Sequence, residues 1–180
     1  MTAVAIQGGI GSYSYEAAEA ITNGKAKIVR CIDFASVFTA LRNGNAELAV
    51  LPVRNKIIGE IADAAANIRE NELKILGELR LRIDHVLAST ANSELERIRA
   101  VRSHPAALKQ CGEYLKRHPD WEIQFGYDTA GSLQTIVAND EHDTAAICSR
   151  QAAEIFNGKV LDMFIADEKD NWTLFQMVSL

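Results

Sequence analysis

Groups able to hold an anion gather in three short stretches of this chain. Gly8-Gly9-Ile10-Gly11-Ser12-Tyr13-Ser14 follows an apolar run and precedes a helical one, which brings free backbone N–H groups and hydroxyls to a helix start. The glycine spacing fits neither a Walker loop nor a dinucleotide fingerprint. Ser103-His104-Pro105 opens another helix, with Ser103 or His104 at the cap and Pro105 in the first turn. Gln110 adds a carboxamide further along that helix, on the line of Ser103. Hydroxyl, amide and N–H donors lining a helix mouth suit an anion. An ordinary capped helix with a surface glutamine has the same pattern, and these residues alone leave both readings open. The third stretch, Arg54-Asn55-Lys56, sets two cations around an amide at the end of an apolar strand.

Composition narrows the rest. The chain has 180 residues, is 48% hydrophobic and carries a formal charge of −5, which describes an ordinary globular protein and argues against a nucleic-acid partner. No apolar run approaches membrane-spanning length, and the first residues lack a basic-then-apolar targeting pattern, so a cytoplasmic protein is expected. Cys31, Cys111 and Cys148 are odd in number and set among apolar neighbours, as reduced core residues are. His85, His104, His118 and His142 show no ligand spacing with one another or with the cysteines, so neither metal nor cofactor is expected. Asn171-Trp172-Thr173 has the glycosylation pattern, which means little without a secretion signal.

The elements that must position these groups alternate. Strands are expected over residues 3–7, 27–32 and 47–53, with helices over 15–22, 35–42 and 58–71 between and after them. Such alternation with short links gives a largely parallel sheet covered on both faces. Residues 73–89 are mostly extended and too long for one strand. A helix from 105 to about 117, strands at 122–126 and 144–148, helices at 130–138 and 150–156, and closing strands at 159–165 and 172–179 follow. Phe34-Ala-Ser-Val-Phe-Thr-Ala-Leu before Leu48-Ala-Val-Leu-Pro resembles Thr129-Ala-Gly-Ser-Leu-Gln-Thr-Ile before Thr144-Ala-Ala-Ile-Cys. This weak repeat predicts two similar α/β lobes with a ligand cleft between them. One lobe comprises residues 1–78 plus 157–180, the other 79–156.

Taken together, the marked turns resemble the prephenate dehydratase family. Gln7 to Ser14 is similar to its opening motif, and Pro52-Val53-Arg54-Asn55-Lys56-Ile57-Ile58-Gly59 to its Pro-Ile-Glu-Asn-Ser stretch. Ile83-Asp84-His85, Ser103-His104-Pro105 through Gln110-Cys111, Thr129 and Thr173-Leu174-Phe175 fall in register with its remaining motifs. The resemblance implies a fold like the type II periplasmic binding proteins, prephenate or a related dicarboxylate as the small-molecule partner, and a dimer or tetramer. The family's C-terminal phenylalanine-sensing module is expected to be missing here, since the sequence stops at Leu180. By position, Thr173, Gln110 and Asn55 take catalytic roles, Thr173 as general acid. Ser12, Arg54, Lys56, Ser103, His104, Thr129, Trp172 and Phe175 take substrate-binding ones.

The departures have consequences of their own. Arg54 stands for the family's Glu, Lys56 for its Ser, Asp128 for its usual Ser, and Leu174 for the signature Arg. Trp172-Thr173-Leu174-Phe175 is similar to the Trp-Ser-Leu-Phe of the bacilysin-type prephenate decarboxylases, which expel CO2 but keep the ring hydroxyl. The expected activity is therefore release of CO2 from prephenate, with the non-aromatising decarboxylase placed ahead of the dehydratase. A non-catalytic acid-binding protein is a further alternative. Leu174→Arg is then expected to shift the product towards phenylpyruvate. Phe175 also reads as a core aromatic, His85 as a hydrogen-bonded core histidine, and Arg54 and Lys56 as solvated loop charges.

Overall fold

The computed structural model describes residues 1–180 and divides into two compact units, residues 1–83 with 171–180, and residues 84–170. In the first unit, β1 (Ala3–Gln7), β2 (Lys27–Cys31) and β3 (Leu48–Asn55) run parallel, with β1 between the other two. A short β4 (Gly59–Glu60) folds back on β3. β11 (Trp172–Ser179), from the end of the chain, lies antiparallel between β3 and β5 (Lys74–Arg82). Strand alternation splits the apolar residues into two cores. Ala49, Leu51 and Val53 pack with residues of α2 (Phe34–Arg42) and α3 (Ala62–Glu70). Val4, Ile6, Val50 and Phe175 pack against Ala17 and Ala18 of α1 (Tyr13–Thr22) on the other face.

The second unit repeats the pattern. β7 (Ala100–Ser103) runs parallel to β8 (Glu122–Phe125) and β9 (Thr144–Ser149). β6 (His85–Ser89) is antiparallel to β9 and to β10 (Lys159–Asp162). Leu87, Val101 and Ile147 pack with Leu108 of α4 (Pro105–Gln110) and Tyr114 of α5 (Gly112–Lys116). Val86, Ala146 and Cys148 pack with Leu133 of α6 (Thr129–Ala138) and Ala152 of α7 (Arg150–Ile155). No helix is long and apolar enough to cross a membrane.

Three expectations are corrected. The chain returns to the first unit at Asn171 rather than near residue 157, because β10 stays with the second sheet by pairing with β6. The helix expected from residue 58 begins at Ala62, since Gly59 and Glu60 pair with Asn55 and Arg54. The helix expected from 105 to 117 breaks at Cys111 (φ −115°, ψ 26°). The break is filled by Asp167, whose N–H donates to the Gln110 carbonyl at 2.8 Å and whose carboxylate accepts from the Glu113 N–H at 3.0 Å. Backbone groups freed by the break are thus satisfied, and Gln110 sits on a pinned helix end.

Candidate functional site

Asn55 is the hub of the first unit's polar cluster. Its side chain is 5% exposed, and its carbonyl accepts from the N–H groups of Ile57 at 2.9 Å and Ile58 at 3.1 Å. This side-chain turn fixes which end of the amide is which. The NH2 end therefore points at β11, where it donates to Asn171 Oδ1 and the Trp172 carbonyl, both at 3.0 Å, and to Thr173 Oγ1 at 2.9 Å. Thr173 is 6% exposed, and its hydroxyl accepts from Asn55 without donating to any protein group. A hydroxyl held this way keeps its own hydrogen for a ligand, and the amide stabilises negative charge on its oxygen.

Asn55 reaches this position through a β-bulge. Phe175 pairs with Pro52, but Leu174 pairs with Arg54, which leaves Val53 as the extra residue of β3. Beyond the bulge the alternation is reversed. Asn55 shares a face with Thr173, and Arg54 turns to the α3 face with Leu174. At the same edge of the sheet β1 ends in the glycine turn, because β1 and β3 are parallel. Gly8 has φ +107°, and a Cβ there would lie 3.1 Å from Ser12 Oγ. Ser12 caps α1 by accepting from the Tyr15 N–H at 3.2 Å.

In the second unit the parallel strands β7, β8 and β9 hand their ends to α4, α6 and α7, capped by His104, Asp128 and Ser149 respectively. His104 Nδ1 accepts from the Ala106 N–H at 3.1 Å and its ring is exposed. Thr129 is half-buried in the first turn of α6. His85 begins β6 at this same edge, opposite Ser149, and is 3% exposed. Its Nε2 lies 2.8 Å from Gln110 Oε1. Burial lowers the His85 pKa, against the hydrogen bond to Gln110 and the nearby Asp84, which raise it. The His85 ring thus holds the Gln110 side chain from β6. Burial pushes the Cys111 and Cys148 thiols up to about 12, which keeps both protonated and unreactive.

The expected site residues therefore separate. Asn55 and Thr173 come together in one unit, and Gln110 with His85 in the other. Ser103 is corrected to a core residue. It ends β7, is 0% exposed, and donates its hydroxyl hydrogen to the Ile147 carbonyl at 2.6 Å, while His104 is the cap. Phe175 is likewise packing, 2% exposed against Val4, Ile6 and Ala17. Arg54 is turned away by the bulge. Trp172 shares the parity of Leu174, with the Arg80 guanidinium 4.2 Å from its ring centroid. Lys56 has an exposed side chain, and its N–H donates to the Trp172 carbonyl at 2.9 Å. Asn171, which sequence reasoning took only for a glycosylation pattern, is 1% exposed and a partner of Asn55. Its spacing of two from Thr173, on one strand face, was the signal available.

The family profile described as prephenate dehydratase matches residues 4–180. The chain belongs to the prephenate dehydratase family. The bifunctional chorismate mutase/prephenate dehydratase of Buchnera aphidicola subsp. Schizaphis graminum is 35% identical over 172 residues, covering 94% of this chain and 45% of that protein. The chloroplastic arogenate dehydratase 5 of Arabidopsis thaliana is 36% identical over 178 residues, covering 98% of this chain and 41% of that protein. The chain thus spans less than half the length of these two relatives of the family. Among solved structures, prephenate dehydratase in complex with L-Phe from Arthrobacter aurescens matches with a TM-score of 0.88 at 26% identity, over 98% of this chain and 60% of that one.

Proposed function

We propose that this chain is a lyase that removes CO2 and the ring hydroxyl from prephenate, giving phenylpyruvate. Electrons of the breaking C–CO2 bond enter the ring and the C–O bond at the far carbon breaks. A proton delivered to the departing oxygen makes it water. Thr173 is the donor in this reading. The observation that carries it is the Asn55 amide at 2.9 Å from Thr173 Oγ1, which fixes the rotor and eases charge on that oxygen. Gln110, oriented by His85, and the donors at Ser12, His104 and Thr129 are assigned to the substrate's polar groups. Relatives named for prephenate or arogenate dehydration favour the dehydratase outcome over the non-aromatising decarboxylase. The case for the decarboxylase rests on Leu174, Trp172 and Arg54, and the position of all three on the strand face opposite to Thr173 weakens it.

The test is incubation of the purified chain with prephenate, following CO2 and the ultraviolet spectrum. CO2 with the phenylpyruvate signature supports the proposal, and CO2 with a conjugated non-aromatic product supports the decarboxylase. No CO2 points to a binding role. Thr173→Ala is expected to lower kcat by about a hundredfold or more, the usual scale of lost acid catalysis. Wild-type turnover by that variant removes Thr173 from the mechanism.

A further inference from the structure

We propose that the α3 face of the first unit binds a small amphipathic monocarboxylate, with Arg54 as its counter-ion. A cavity of about 480 Å3 opens there, within the range of small-molecule sites. Its wall is apolar where Val53, Ala65, Ile68 and Leu174 meet. Three charged side chains reach it: Arg54, Glu60 and Arg69. Glu60 faces Arg54 across β3 and β4 and lies 3.4 Å from Arg69, so the three side chains together leave one net positive charge at the cavity. Arg54 has no ion pair or side-chain hydrogen bond, which leaves one uncommitted guanidinium beside an apolar wall. A carboxylate would take two parallel N–H bonds from that fork while its hydrocarbon part covers Leu174 and Val53. A dianion would leave its second charge against the apolar wall, which argues for a single carboxylate.

Two features make this site distinct from the Asn55–Thr173 cluster. It lies on the opposite face of β3 and β11, reached by residues one position away in each strand. The bulge at Val53 both forms part of its wall and sets the direction of Asn55. Leu174 is also flanked across the strands by Arg54 on one side and Arg80 on the other, which adds positive potential next to the wall. The assignment does not depend on the activity proposed above.

The experiment is calorimetric titration of the full chain with 3-phenylpropionate, and with 3-phenylpropan-1-ol as the neutral control. The carboxylate is expected to bind at least about tenfold tighter than the alcohol, the scale of one charge-assisted bond. Arg54→Gln and, separately, the cavity-filling Ala65→Leu should each weaken it by a similar factor, with unfolding curves confirming that both variants are folded. Thr173→Ala should leave the affinity unchanged. Equal binding of acid and alcohol, or undiminished affinity in both variants, overturns the proposal. Loss of binding in Thr173→Ala overturns it too, by placing the ligand on the other face. Sedimentation showing a dimer that Arg54→Gln dissolves would assign the cavity to a second copy of the chain instead.

Discussion

At the residue scale, Asn55 and Thr173 touch each other yet differ in what their loss leaves behind. Thr173→Ala removes one of three acceptors around the Asn55 amide, and Asn171 and the Trp172 carbonyl still satisfy it. Its stability cost should stay near 1 kcal/mol. Asn55→Ala removes the acceptor of the Ile57 and Ile58 N–H groups and the amide that ties β3 to Asn171, the Trp172 carbonyl and Thr173, and should cost about 2–3 kcal/mol. Denaturant unfolding of the two variants separates these outcomes, and equal costs would refute the hub assignment. His85 gives a pH signature. Its folded pKa lies below the unfolded value, so below about pH 6.5 the unfolded chain binds the extra proton. Stability should therefore fall as pH drops through that value, and His85→Gln should flatten this part of the profile. A parallel profile in the variant would show that His85 titrates alike in both states.

At the element scale, the bulge decides what the substituted signature residues do. Without Val53 as the extra residue, Arg54 would lie on the Thr173 face. With it, Arg54, Leu174 and Arg80 form one cross-strand row on the other face. Leu174→Arg would put a third cation between two others and remove an apolar contact with the α3 core, at a cost of about 1–2 kcal/mol. The Arg54→Glu/Leu174→Arg double variant should recover most of that loss, and a purely additive cycle would refute the row. The product should not shift in Leu174→Arg, contrary to the sequence-based expectation. Period and glycine turns made the strands, α1 and α2 legible. The bulge reverses the alternation only for Arg54 and Asn55 at the end of β3, too few residues to show as a change of period, and the partner's register alone reveals it. The same limit hid the break at Cys111. Leu108, Cys111 and Leu115 read as one stripe, and nothing local announces that Asp167 will arrive to fill the gap.

At the scale of the whole molecule, the two units differ in how they are closed. Residues 84–170 form one continuous segment with both of its cores drawn from within it. The first unit needs β11, whose Phe175 and Val178 supply one core each and whose backbone joins β3 to β5. The repeat in the sequence made the existence of two lobes legible. It did not reveal the point of return, since residues 159–162 and 172–179 are both extended and only their partners tell them apart. The Thr173–Asn55 bond is therefore available only after the last strand has been placed between two earlier ones, a long-range closure that local propensity does not supply. Removing residues 171–180 should leave β3 and β5 without the strand that joins them and expose both cores of the first sheet, while leaving the continuous unit folded. Amide exchange read residue by residue tests this. Protection should vanish across β1, β3 and β5 and persist in β6, β7 and β9. Loss of protection in both units at once would mean that they fold as a single cooperative body, and the division at Ile83 and Asn171 would have no thermodynamic meaning.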